Sequence, residues 1–202
     1  MNINENNKND ENIKNALHVM YRTYENIEKL MAYCCKVSEE AGYSLAVPHF
    51  LRWKSNTIYS GWLTNVFILL FQREDDSACK SGNGWKDGPI YAVEICLGLD
   101  KDDSYYPSMF VSKFEYENIN LWSKGCSRSS YWQMHNPVHF SHTMDIEQSE
   151  PVRIAKPNSQ ENSKAYWGLE KVTTIKTPLS DITADNLREK IFGAFDKLKS
   201  RT

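Results

Sequence analysis

Three of the chain's five histidines fall in one stretch, WSKGCSRSSYWQMHNPVHFSH, from Trp122 to His142. His135, His139 and His142, with Asp145 just beyond, supply nitrogen and oxygen donors of the types that hold zinc and related transition metals. Their spacing argues against a regular metal site. On a strand His139 and His142 would point to opposite faces, and on a helix Pro137 would interrupt the turn that joins His135 to His139. The helical zinc pattern HExxH is missing from the sequence. These histidines are therefore expected to bond locally in a loop, and neither metal nor cofactor is expected.

A second possible centre begins with Asp87 and Glu94. Two carboxylates at strand ends, with a lysine two residues after the second, form one arrangement by which nucleases hold Mg and steady the attacking water. Here Cys96 occupies the lysine position. Glu94 nevertheless stands out, because it shares a strand face with Ile90, Ala92 and Cys96, and a carboxylate is seldom buried without a partner. Lys113 on the following strand is the expected partner. The alternative is that Glu94 lines a pocket, together with Asp87 or with the histidine group.

The Trp122–His142 stretch also has the composition of a contact surface. Lys124 and Arg128 alternate with Trp122, Tyr131 and Trp132, and the segment FLRWKSNTIYSGW repeats the mixture with Arg52, Trp53, Lys54, Tyr59 and Trp62. Such residues can stack on flat ligands and neutralise anionic groups. Other catalytic patterns are missing. The sequence contains no G-x-S-x-G, no phosphate-binding GxxxxGK[ST] and no GxGxxG. Cys126 lies close to the histidines in sequence, but a Cys–His catalytic pair is matched in space rather than along the chain. The run DKDDSYYP lacks the Gly and the distal Glu of a calcium loop.

The elements that must position these residues follow from periodicity. Ile13, Leu17, Met20, Tyr24, Ile27, Met31 and Cys34 alternate steps of four and three, which predicts one long amphipathic helix. Asp10 can cap its start and Gly42 can end it. After residue 44 the period becomes two. WLTNVFILLFQRE, IYAVEICLGL and SMFVSKFEYEN read as strands, and the loops between them are too short for crossover helices, so the strands must be antiparallel. HFSHTMDI is a further short strand, and AYWGLEKVTTIKT is the last, with Ala165, Trp167, Leu169 and Lys171 alternating along it. Leu187, Ile191, Ala194, Phe195 and Leu198 form the apolar face of a closing helix that Asp181 or Thr183 can cap.

The predicted fold is thus α+β: an antiparallel sheet of about five strands packed by a long N-terminal helix and a C-terminal helix. Residues 1–9 are read as a flexible Asn-rich lead and residues 10–202 as one domain. The formal net charge of -2 excludes an overall basic field for nucleic acid or an anionic membrane, so any such contact must be local. No secretory signal and no apolar run of spanning length is seen, and the five cysteines are an odd, irregularly spaced set. A soluble protein of the cytoplasm, with reduced cysteines and no membrane partner, is expected. Its expected role is non-enzymatic binding or regulation, through the loops around Trp53 and Trp132, on a protein or anionic ligand. The competing role is a nuclease-like metal-dependent hydrolase built on Glu94. Homodimerisation through the first helix is compatible with either.

Overall fold

The three strands of period two form the centre of the sheet in the computed structural model, which describes residues 3–80, 84–98, 106–122 and 130–200. The chain divides into two compact units, Met1–Val37 and Ser38–Thr202. The first unit consists of helix α1 (Ile3–Ser38) up to its last residue, so helix runs through the Asn-rich residues before Asp10. Glu25 pairs with Arg22 and Lys29 at helical spacing along it, and Ile13 and Leu17 of its apolar stripe are exposed. Gly42, at φ 77°, turns the chain out of the short 3-10 segment Glu39–Ala41, where its N–H donates to the Glu39 carbonyl.

The second unit is built on one antiparallel sheet of seven strands rather than five: β1 (Tyr43–Leu45), β2 (Val66–Arg73), β3 (Ile90–Cys96), β4 (Ser108–Tyr116), β5 (Met144–Ser149), β6 (Val152–Pro157) and β7 (Leu169–Pro178). Their spatial order is β1-β2-β3-β4-β7-β6-β5. The strands beyond the predicted five are β1, of three residues, and β6; of HFSHTMDI only Met144–Ile146 enter a strand, β5, which lies at the open edge and is exposed at every position after Met144. β7 starts at Leu169, later than its sequence pattern suggests. Helix α3 (Gln160–Ala165) takes up Ala165, and Trp167 (φ 60°) and Gly168 (φ 80°) turn the chain into the strand.

Both faces of the sheet are covered, as the continuous apolar runs of β2 and β3 require. One face carries Tyr43, Phe71 and Tyr91, whose rings pack around Phe195 of helix α4 (Ala194–Lys199) with centroids 5.0 to 5.8 Å away. A π-helical turn, Glu189–Gly193, precedes α4 and brings Phe192 into the same cluster. Phe195→Ala should therefore destabilise this unit by about 3–5 kcal/mol, readable as a lower urea midpoint.

The opposite face carries Ile68, Leu70, Ile90, Ala92, Phe110 and Phe114, and is covered by Trp85, Trp122 and helix α2 (Tyr131–His139) through Met134 and Val138. Glu94 belongs to this face. Among the described residues no helix is long and apolar enough to cross a membrane.

Candidate metal centre

Helix α2 changes the meaning of the histidine spacing. Pro137 lies inside it, yet the turn from His135 to His139 is intact, and the Phe140 N–H still donates to the Asn136 carbonyl at 2.9 Å. A proline in a helix deletes one backbone donor and strains one turn. The rest of α2 is held by packing, with Gln133, Met134, His135, Pro137 and Val138 all buried. His135 and His139, four residues apart, therefore lie on one face, their rings stacked with centroids 4.2 Å apart.

Both rings meet Glu94. Strand β3 is buried at all seven positions, and Glu94 faces α2 from its middle, opposite Ile68 on β2 and Phe110 on β4. His135 Nδ1 lies 2.9 Å and His139 Nε2 2.7 Å from the same Glu94 oxygen, Oε1. Ionised Glu94 accepts at that oxygen, so each ring donates an N–H. The three side chains are only 3 to 4% exposed. Burial alone would raise the Glu94 pKa, but the charge of His139, then that of His135, and the two hydrogen bonds outweigh it and hold the carboxyl down to about 2.

Aromatic rings fix both imidazoles. Tyr131 stacks on His135 with centroids 4.7 Å apart, and Phe110 and His139 form a T-shaped pair with centroids 4.6 Å apart. One donor atom from each of Glu94, His135 and His139 falls within 4.8 Å of the other two. Zinc bonds of about 2.1 Å place tetrahedral donors roughly 3.4 Å apart. The His135–Glu94 contact would have to lengthen by about 0.5 Å and the His139–Glu94 contact by about 0.7 Å, a side-chain adjustment. Two imidazoles and one carboxylate are also the ligand set with which catalytic zinc and non-haem iron keep positions free for water.

The other sequence candidates lie elsewhere. His142 is exposed, with its ring against Phe140 at 5.8 Å, and Asp145 is exposed on β5. Asp87 is exposed in the turn before β3, where its backbone N–H donates to the Ser77 carbonyl. Lys113 is not the partner of Glu94. It pairs in register with Tyr91, on the opposite face, and its ammonium lies 3.2 Å from Glu115.

Of the proposed contact residues, Trp122 is core: its ring sits among Trp85, Tyr116 and Trp167, and its indole N–H donates to the Trp167 carbonyl. Lys124, Cys126 and Arg128 lie outside the described residues. Trp132 is 41% exposed on α2, and Tyr131 is half-buried against His135. Arg52 and Trp53 are half-buried and Lys54 is exposed, with the Arg52 guanidinium 5.8 Å from the Phe50 ring centre.

Comparison of the chain with protein families, with curated proteins and with solved structures gives no match.

Proposed function

We propose that this protein is a metal-dependent hydrolase with Glu94, His135 and His139 as the ligands of a single divalent transition metal, zinc foremost. The observation that supports this reading is the convergence of three donor atoms from two elements, strand β3 and helix α2, within 4.8 Å. A zinc with three protein ligands supplies a bound water acidic enough to yield hydroxide near neutral pH. The chain's own part is to hold the donors, to release their two N–H protons as the metal is taken up, and to exclude bulk water with the rings of Phe110 and Tyr131. Glu94 is a ligand in this arrangement, so the nuclease-like pairing with Asp87 is not part of it.

The test is metal analysis of the purified protein with a thermal titration in Mg, Mn and Zn. One equivalent of zinc is expected. At a free concentration one hundred times Kd it should stabilise by about 2.7 kcal/mol, raising the midpoint by roughly 5–10 °C for a unit of this size. A midpoint unmoved by any of the three metals would refute the reading.

A second reading, non-enzymatic binding through the loop around Trp53, is favoured by one observation. Ile58, Tyr59, Trp62 and Leu63 are 52 to 70% exposed on a loop that is held shut. The Ser55 N–H donates to the Gly61 carbonyl, and Ser55 Oγ accepts from the N–H groups of Thr57 and Ile58. A Cβ on Gly61 would stand 2.5 Å from Ser55 Cβ, so the closure requires glycine. A fixed loop presents its side chains without the entropy cost of ordering them on binding. If an anionic partner uses it, charge reversal at Arg52 and Lys54 should weaken binding about tenfold or more, as read by titration; equal affinity would exclude this surface.

A further inference from the structure

The two histidines of the cluster are not held alike. His135 lies in the middle of α2, where Met134 beside it is buried and accepts from the Tyr116 hydroxyl, and Tyr131 stacks on its ring. His139 is the last residue of α2, and Phe140 after it is already extended. Pro137 supplies no N–H to the Gln133 carbonyl, so the helix lacks one backbone bond just before it ends. A helix end also leaves its last carbonyls without intrahelical donors. Yet His139 makes the shorter of the two contacts with Glu94, 2.7 Å from Nε2 to Oε1.

Arg153 supports that end of the helix. It stands on β6 at the end of a row that crosses the sheet through Leu70, Ala92, Ser112 and Thr174, next to the row of Ile68, Glu94 and Phe110 on the same face. Its guanidinium donates from Nη1 to the carbonyl of Val138, the residue before His139. The bond ties the last turn of α2 to β6, and a cation at this end complements the helix dipole. Stability alone is a poor reason for an arginine here. Arg153 is half-buried, burial disfavours its charge, and among the described residues it enters none of the ion pairs. One carbonyl is a small return for desolvating a guanidinium, and Ala155, the next residue of β6 on this face, is buried and apolar.

We infer that Arg153 is a positioning residue of the metal centre, fixing the turn of α2 that presents His139 to the metal. This rests on the metal-centre reading above. Arg153 acts through the backbone: it touches neither the ligand rings nor the carboxylate in any hydrogen bond of the cluster, and holds the residue next to His139 instead. A ligand whose backbone is already fixed loses less freedom when the metal is taken up, and groups that orient ligands set affinity in this way.

The experiment is competition for zinc between the full chain and a chromogenic chelator, for wild type, Arg153→Met, Arg153→Lys and Lys156→Met. Methionine keeps much of the volume without donor or charge, and Lys156, an exposed cation of the same strand, controls for the loss of one positive charge. Arg153→Met should bind zinc about tenfold more weakly than wild type, Arg153→Lys should recover part of the loss, and Lys156→Met should stay within about threefold of wild type. Should the methionine variant not fold, Arg153→Gln takes its place with the same expectation. Nitrogen NMR of the imidazoles in the metal-free proteins gives a second readout. The His139 Nε2–H signal is expected to broaden in Arg153→Met while that of His135 Nδ1–H persists, whereas a general loss of packing would change both rings together. Wild type that takes up zinc, with Arg153→Met binding it equally well, overturns the inference and leaves the metal centre standing, as does an equal change in both rings. Wild type that takes up no zinc overturns the metal-centre reading itself, and the inference with it.

Discussion

His139→Ala is expected to abolish stoichiometric zinc uptake, while His142→Ala and Asp87→Ala leave it unchanged. His139 presents Nε2 to the shared Glu94 oxygen, and its ring is fixed by Phe110 and by His135, so no neighbouring side chain can replace that donor. Loss of an outer partner of a metal ligand already costs about 10–100-fold in affinity, and loss of the ligand itself should exceed that range. Glu94→Gln keeps the shape of the site but removes the anionic oxygen, and should weaken zinc to a similar extent. His142 and Asp87 are exposed and lie outside the three-residue cluster, so they serve as matched controls. Dissociation constants from competition with a chromogenic chelator provide the check. Equal affinities for wild type and His139→Ala would remove the centre from consideration.

The fold was legible wherever a face was buried in a regular period. The strands β2, β3 and β4 and the apolar positions of the C-terminal helix, Leu187, Ile191, Ala194, Phe195 and Leu198, could be read because burial sets their pattern directly, and all five helix positions are buried. β1 was not legible, and β5 only in its first residues at the end of HFSHTMDI, for the opposite reason. They are edge strands held by backbone pairing, which leaves no mark on side-chain type. β6, half of a hairpin with β5, was hidden between polar segments in the same way.

The Glu94, His135 and His139 cluster was half legible. Glu94 drew attention as a carboxylate in an apolar strand, and the histidines as possible ligands, but the weight placed on Pro137 separated them. A helix so thoroughly buried tolerates the loss of one backbone bond, because tertiary packing supplies most of a short helix's stability. The signal available was the spacing itself. Positions 131, 135 and 139 recur every four residues, which is helical periodicity carried by aromatic rings rather than by aliphatic ones.

The cluster can also be separated from a merely structural role by the stability of the metal-free protein. Three polar side chains in a buried site cost desolvation that their mutual contacts only partly return. Replacing them together, as Glu94→Leu with His135→Leu and His139→Leu, should leave the metal-free protein as stable as wild type or up to about 4 kcal/mol more stable. Removing one partner alone has the opposite sign. His135→Ala deprives the buried Glu94 oxygen of one of its two donors and leaves a cavity beneath Tyr131, and should cost about 3–5 kcal/mol. Urea unfolding in chelator reads both effects. A triple-leucine variant that folds well but takes up no zinc shows that the sequence retains Glu94, His135 and His139 at a cost in stability, which is the behaviour of a site kept for chemistry. A triple variant several kcal/mol less stable than wild type would instead make the cluster a hydrogen-bonded core element, and the case for hydrolysis would fall with it.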